Sequence, residues 1–131
     1  PLEMALVEFL ATGGYDQHLR KMRATLAKRV AHARAVIRES WPAGIEVTNP
    51  RGGTVLWVEF PAGIDTVAFY PEAIERGITF APGISFSATG DLNHCLRINA
   101  AFMTDKTEGA LRVLGELASV AMKEAETRRA G

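Results

Sequence analysis

The spacing of apolar residues changes twice along the chain, and each change marks an element. Leu2 to Ala11 is a short apolar segment read as a helix, ended by Thr12-Gly13-Gly14 because paired glycines favour turn conformations. From Tyr15, the residues Tyr15, Leu19, Met22, Leu26, Val30, Ala33 and Ile37 recur at steps of three and four, which predicts one apolar face of a long helix. Trp41-Pro42-Ala43-Gly44 stops that helix. The period then falls to about two. Ile45–Thr48 and Thr54–Phe60 predict two strands joined through Asn49-Pro50-Arg51-Gly52-Gly53 as a hairpin. Asp65 is placed to cap a helix running to about Arg76, with a break near Pro71 and Gly77 as its stop. Ile78–Ala81 predicts a short strand and Ser85–Ser87 a weaker extended piece. His94–Ala100 alternates Cys95, Arg97 and Asn99 with Leu96, Ile98 and Ala100, as a strand does. Thr104 or Asp105 caps a last helix with Leu111, Leu114, Leu117, Ala118 and Ala121 on one face, fraying from Thr127 to Gly131. Long helices at both ends of a small sheet predict an α+β fold, a two-layer sandwich of a mixed or antiparallel sheet with long N- and C-terminal helices, in one domain spanning 1–131.

Composition narrows the class. With 131 residues, 47% hydrophobic and 23% charged, the chain can bury a core without disulfides or metal, and disordered or collagen-like classes are excluded. No apolar run approaches the ~20 residues of a membrane span, and Pro1-Leu2-Glu3-Met4 lacks the basic start of a leader. A soluble, unexported, cytoplasmic protein is expected. Cys95 is the single cysteine, so no internal disulfide and no multi-thiolate zinc site can form.

The zero net charge conceals a basic stretch. Residues 15–41 carry seven basic side chains against two acidic ones, and the rest of the chain is acidic in compensation. Such a stretch is either a nucleic-acid footprint or a solvated or packing face. Aromatics are not interleaved with the arginines, as single-strand binding requires, and the second reading is preferred.

Catalytic patterns are sparse. His18, His32 and His94 have no metal-binding spacing and read as solvated surface histidines. Alternation puts His94 and Cys95 on opposite faces of their strand, which disfavours a Cys/His dyad and leaves Cys95 as a buried structural residue. Arg97 stands out. It lies in the apolar strand Leu96-Arg97-Ile98-Asn99-Ala100, where desolvating a guanidinium is costly unless an anion meets it. An arginine fork suits a carboxylate bidentately. An internal ion pair, an edge-strand arginine reaching water and a ligand site all satisfy this argument.

Five ordered pieces add a resemblance: Gly13-Gly14-Tyr15-Asp16 with His18-Leu19-Arg20-Lys21-Met22-Arg23, Gly52-Gly53 before Leu56-Trp57-Val58, Gly77-Ile78, Ala81-Pro82-Gly83 with Phe86-Ser87, and Cys95-Leu96-Arg97-Ile98-Asn99. Together they resemble the C-terminal small domain of fold-type I pyridoxal-phosphate-dependent aminotransferases. The wording is most similar to the MocR branch of GntR-family transcriptional regulators, in which such a module follows a winged-helix DNA-binding domain. The resemblance implies that Arg97 binds the carboxylate of an amino-acid substrate or effector, and that Gly83 and Phe86 line the site. It gives Gly52, Gly53 and Trp57 structural roles.

The departures matter as much. In that family a large domain supplies the Schiff-base lysine, the partner of the pyridinium nitrogen and the phosphate-binding groups, and none of these has a counterpart here. Lys21, Lys28, Lys106 and Lys123 all read as exposed helix residues. The chain is therefore expected to be part of a larger protein, inactive alone and without covalently bound pyridoxal phosphate. Its implied partners are an amino acid, a cofactor-binding large domain, DNA only through a separate N-terminal domain, and a second subunit, with no membrane. The alternative is a stand-alone module that binds small carboxylates or a protein partner.

Overall fold

The structure, a computed structural model, describes residues 2–131. Four α-helices are formed: α1 (Leu2–Ala11), α2 (Gly14–Ser40), α3 (Tyr70–Glu75) and α4 (Asp105–Ala130). The strands are β1 (Glu46–Val47), β2 (Val55–Glu59), β3 (Ala81–Pro82) and β4 (Cys95–Asn99), and single 3-10 turns occupy Thr66–Phe69, Gly83–Ser85 and Ala100–Phe102. The sheet order is β1-β2-β4-β3, and every pairing is antiparallel. The expected α+β two-layer architecture is present, and of the two sheet types allowed by the sequence the antiparallel one is formed.

One face of the sheet carries the core. Leu56, Val58, Leu96 and Ile98 alternate inward from the two central strands and meet Val30, Ala33, Val36 and Ile37 of α2 and Leu111, Leu114 and Ala118 of α4. Each of these leucine, valine and isoleucine side chains contributes roughly 1.5–3 kcal/mol by leaving water, and the alanines less. Trp41 closes the end of this layer. Its indole N–H donates to the Leu111 carbonyl at 3.0 Å, and its ring stacks on Phe60 with centroids 5.8 Å apart. Gly115 makes this possible, because a Cβ there would lie 2.4 Å from Trp41 Cδ1.

Several boundaries differ from expectation, each for a local reason. The helix expected over 65–76 is two pieces. Asp65 caps the 3-10 turn at Thr66–Phe69 by accepting from Val67 N–H, and Pro71 then sits in the first turn of α3, where its missing N–H costs nothing. The strand expected over 78–81 shrinks to Ala81–Pro82. Ile78 N–H is still bonded to Ala73 O at the exit of α3, and proline, which lacks a donor, cannot extend the ladder. Ser85–Ser87 is not extended, since Phe86 N–H closes the 3-10 turn onto Gly83 O at 2.9 Å. Helix α4 does not fray at Thr127 but continues to Ala130, with Arg128 and Arg129 placed favourably at the negative end of its dipole.

The basic stretch of α2 is partly structural. Arg29 donates to Ala101 O at 2.7 Å and Arg34 to Thr48 O at 3.1 Å, each tying the helix to a loop. Among the described residues, no helix is long and apolar enough to cross a membrane.

Candidate functional site

On the second face of the central strands Val55, Glu59, Arg97 and Asn99 are exposed and Trp57 is half-buried, while Cys95 at one end is buried. The β4 alternation points Leu96 and Ile98 into the core and leaves Arg97 and Asn99 exposed. The strand is therefore apolar on one face only, and the guanidinium is not desolvated. The cost argument that singled Arg97 out does not apply, although the residue remains distinctive. No carboxylate among the described residues pairs with it.

Its surroundings are aromatic. Arg97 pairs in register with Trp57 of β2 on one side and Ala81 of β3 on the other. The Arg97 guanidinium carbon lies 4.8 Å from the centroid of the Phe86 ring, and that ring meets Trp57 edge to face at 5.1 Å. A guanidinium over an aromatic face gains about 0.5–1 kcal/mol at an exposed site, while its N–H edges stay free for an anion. Phe86 and Arg97 are thus brought together. Trp57 is half-buried beside them and belongs to this face as well as to the framework. The cue was present in β2, where a large aromatic alternates with the buried Leu56 and Val58.

Gly83 plays a different part. It is buried, and a Cβ there would fall 1.5 Å from the Leu92 carbonyl oxygen, so the chain after β3 can turn close beneath the 92–95 segment only with glycine. Gly83 supports Phe86 through the 3-10 turn and does not reach the open face. The following loop is organised by Asp91, whose carboxylate accepts from the hydroxyls of Ser87 and Thr89. Those bonds hold its pKa below the usual carboxylate value. Asn99 accepts from Thr54 Oγ1 at 2.8 Å and from Ala101 N–H at 3.0 Å, fixing the end of β4.

Two of the three histidines depart from the surface reading. His18 is exposed, but His32 Nε2 lies 3.0 Å from Glu108 Oε1, linking α2 to α4. This hydrogen bond lowers the Glu108 pKa, with Arg112 adding to the effect. His94 precedes β4, so strand alternation does not govern it. Its ring, the Cys95 thiol and the Glu59 carboxylate come within 4.8 Å of one another, which corrects the expectation that His94 and Cys95 point apart. Cys95 is fully buried, and burial, followed by the Glu59 charge, raises its pKa.

Residues 3–112 match the family of class I and II aminotransferases. The chain belongs to that family. It is 37% identical over 122 residues to the uncharacterized HTH-type transcriptional regulator YjiR of Escherichia coli, covering 92% of this chain and 26% of the relative. It is 30% identical over 114 residues to aromatic-amino-acid aminotransferase 1 of Thermococcus litoralis, covering 86% and 27%. The crystal structure of the multiple substrate aminotransferase of Thermococcus profundus superposes with a TM-score of 0.70 at 28% identity, covering 92% of this chain and 29% of that one. The chain therefore spans about a quarter of the length of the relatives it matches.

The family is pyridoxal-phosphate-dependent, and the residues present here do not fit attachment of that cofactor. Lys21, Lys28, Lys106 and Lys123 are all exposed on helices α2 and α4, away from the open sheet face, where nothing desolvates an amine for Schiff-base chemistry. What the chain offers is an unpaired arginine on an aromatic support.

Proposed function

We propose that this chain is the C-terminal small domain of a regulator-type aminotransferase-fold protein, and that Arg97 receives the carboxylate of its amino-acid substrate or effector. The observation that carries this is the unpaired guanidinium held over the Phe86 ring, itself packed on Trp57, on the exposed part of the sheet face. A carboxylate meeting it would form two parallel N–H···O bonds in the plane of the fork, while Phe86 limits the swing of the side chain. The pyridoxal phosphate of such a protein, its Schiff-base lysine and a DNA-binding domain would lie in other parts of the polypeptide, and the whole protein would work as a homodimer in the cytoplasm. The similarity to a helix-turn-helix regulator favours a regulator over an enzyme.

Amino-acid binding to the intact protein, measured by calorimetry, tests this reading. Arg97→Ala should weaken binding about 10- to 100-fold, the worth of a charge-assisted hydrogen bond of roughly 1.5–3 kcal/mol. Arg97→Lys should recover only part of it, because an ammonium cannot present the fork. Unchanged affinity in Arg97→Ala overturns the assignment. Micromolar binding of amino or keto acids by the 131-residue chain alone, lost in Arg97→Ala, would favour the stand-alone module instead. Borohydride treatment of this chain with pyridoxal phosphate should trap no stoichiometric adduct on a single lysine.

A further inference from the structure

We propose that Glu59, His94 and Cys95 form a binding site for one divalent cation of the zinc class, with one thiolate, one imidazole and one carboxylate as ligands and a fourth position open to water. The backbone prepares the arrangement. Glu59 and Cys95 are register partners at the adjoining ends of β2 and β4, so their side chains leave the same face of the sheet. His94 sits one residue before β4 and is free of strand alternation. Its carbonyl accepts from Phe60 N–H at 2.9 Å, fixing that residue against the strand that carries Glu59. The Cys95 backbone is held from both sides, its N–H by Leu92 O at 2.9 Å and its carbonyl by the buried Thr66 hydroxyl at 2.7 Å.

The separations suit an ion better than a direct contact. His94 Nε2 and Glu59 Oε2 are 3.9 Å apart, beyond hydrogen-bond range, and the three ligand atoms all lie within 4.8 Å of one another. Around a tetrahedral ion with bonds of about 2.0–2.3 Å, ligand atoms sit roughly 3.3–3.7 Å apart. A shift of about an ångström, which the exposed Glu59 side chain can supply by rotation, closes the set. Access is graded in the same direction. Cys95 is buried, the His94 side chain is 26% exposed and that of Glu59 is 54% exposed, so an ion would be closed off on the protein side and open to water on the other. The same turn contains a buried acceptor without a donor among the described residues, the side-chain oxygen of Asn93. The mixture of soft thiolate, imidazole and carboxylate selects Zn2+ and its spectroscopic substitute Co2+ over Mg2+ or Ca2+, which prefer all-oxygen cages.

Titration of the 131-residue chain, shown to be folded by its circular dichroism spectrum, with Co2+ tests the proposal. One equivalent should bind with a thiolate-to-cobalt charge-transfer band, and Zn2+ should displace it. Cys95→Ser should abolish the band. Glu59→Gln and His94→Gln, at side chains that reach solvent, should each weaken Zn2+ binding at least about 10-fold while leaving the circular dichroism spectrum unchanged. His18→Gln, on the exposed part of α2, should change nothing. Absence of the band at saturating Co2+ overturns the proposal, and so does a Zn2+ affinity that both Glu59→Gln and His94→Gln leave unaltered.

Discussion

The two faces of strands β2 and β4 are made from the same ten residues and do opposite work. On one, Leu56, Val58, Leu96 and Ile98 are buried against α2 and α4. On the other, Val55, Trp57, Glu59, Arg97 and Asn99 are exposed or half-buried and Cys95 is buried at one end, with Phe86 brought beside Trp57 and Arg97 by a loop. A strand must present alternate residues to opposite sides, so a short antiparallel pair can pin a fold with one set and hold recognition groups rigidly with the other. Arg97 is positioned by this face while contributing little to the core that pins the fold.

The sharpest test sets adjacent residues against each other. Leu96→Ala should cost about 2–5 kcal/mol by emptying a fully buried site, whereas Arg97→Ala should cost less than about 1 kcal/mol, since it removes only an exposed cation–π contact. Denaturant unfolding of the two variants would break the comparison if their losses were similar. Next, Gly83→Ala forces a Cβ onto the Leu92 carbonyl and should destabilise by about 1–3 kcal/mol. It should also displace Phe86 and weaken carboxylate binding, which separates support of the open face from stability of the core.

The smallest effect lies between the helices. The folded-state pKa of Glu108 is lowered, chiefly by His32, so its contribution is present above the unfolded carboxylate value and is lost as pH falls through the depressed one. Glu108→Gln should therefore flatten the acid limb of a stability-versus-pH curve and leave Arg97-dependent binding unchanged. Thermal unfolding across that range checks both.

Much of this was legible in the chain because its signals are local. Residue spacing located α2 and α4, an apolar run ended by paired glycines located α1, and Asp65 and Thr104 cap where expected. The β4 alternation alone separates Arg97 from Leu96 and Ile98. Illegible features depended on partners distant in sequence. Trp57 joins Arg97 only through strand register, 40 positions away, and Phe86 reaches both only because a 3-10 turn replaces an extended segment. His94 escaped the alternation argument because the strand begins one residue later.

Amphipathic pattern marks a face and leaves open what covers it. Val30, Ala33 and Ile37 are buried in the second half of α2, whereas Tyr15 and Met22 on the same stripe are exposed, as are Leu2, Met4, Leu6, Val7 and Leu10 of α1. The sequence by itself determined the helices and the two strand faces, and singled out Arg97 while leaving open whether an ion pair, water or a ligand meets it. Only the tertiary structure decided which apolar positions found partners, which aromatic rings flank Arg97, and that Glu59, His94 and Cys95 share one corner. Local backbone preference acts over a few residues, while burial and site geometry arise from contacts between segments far apart in the chain.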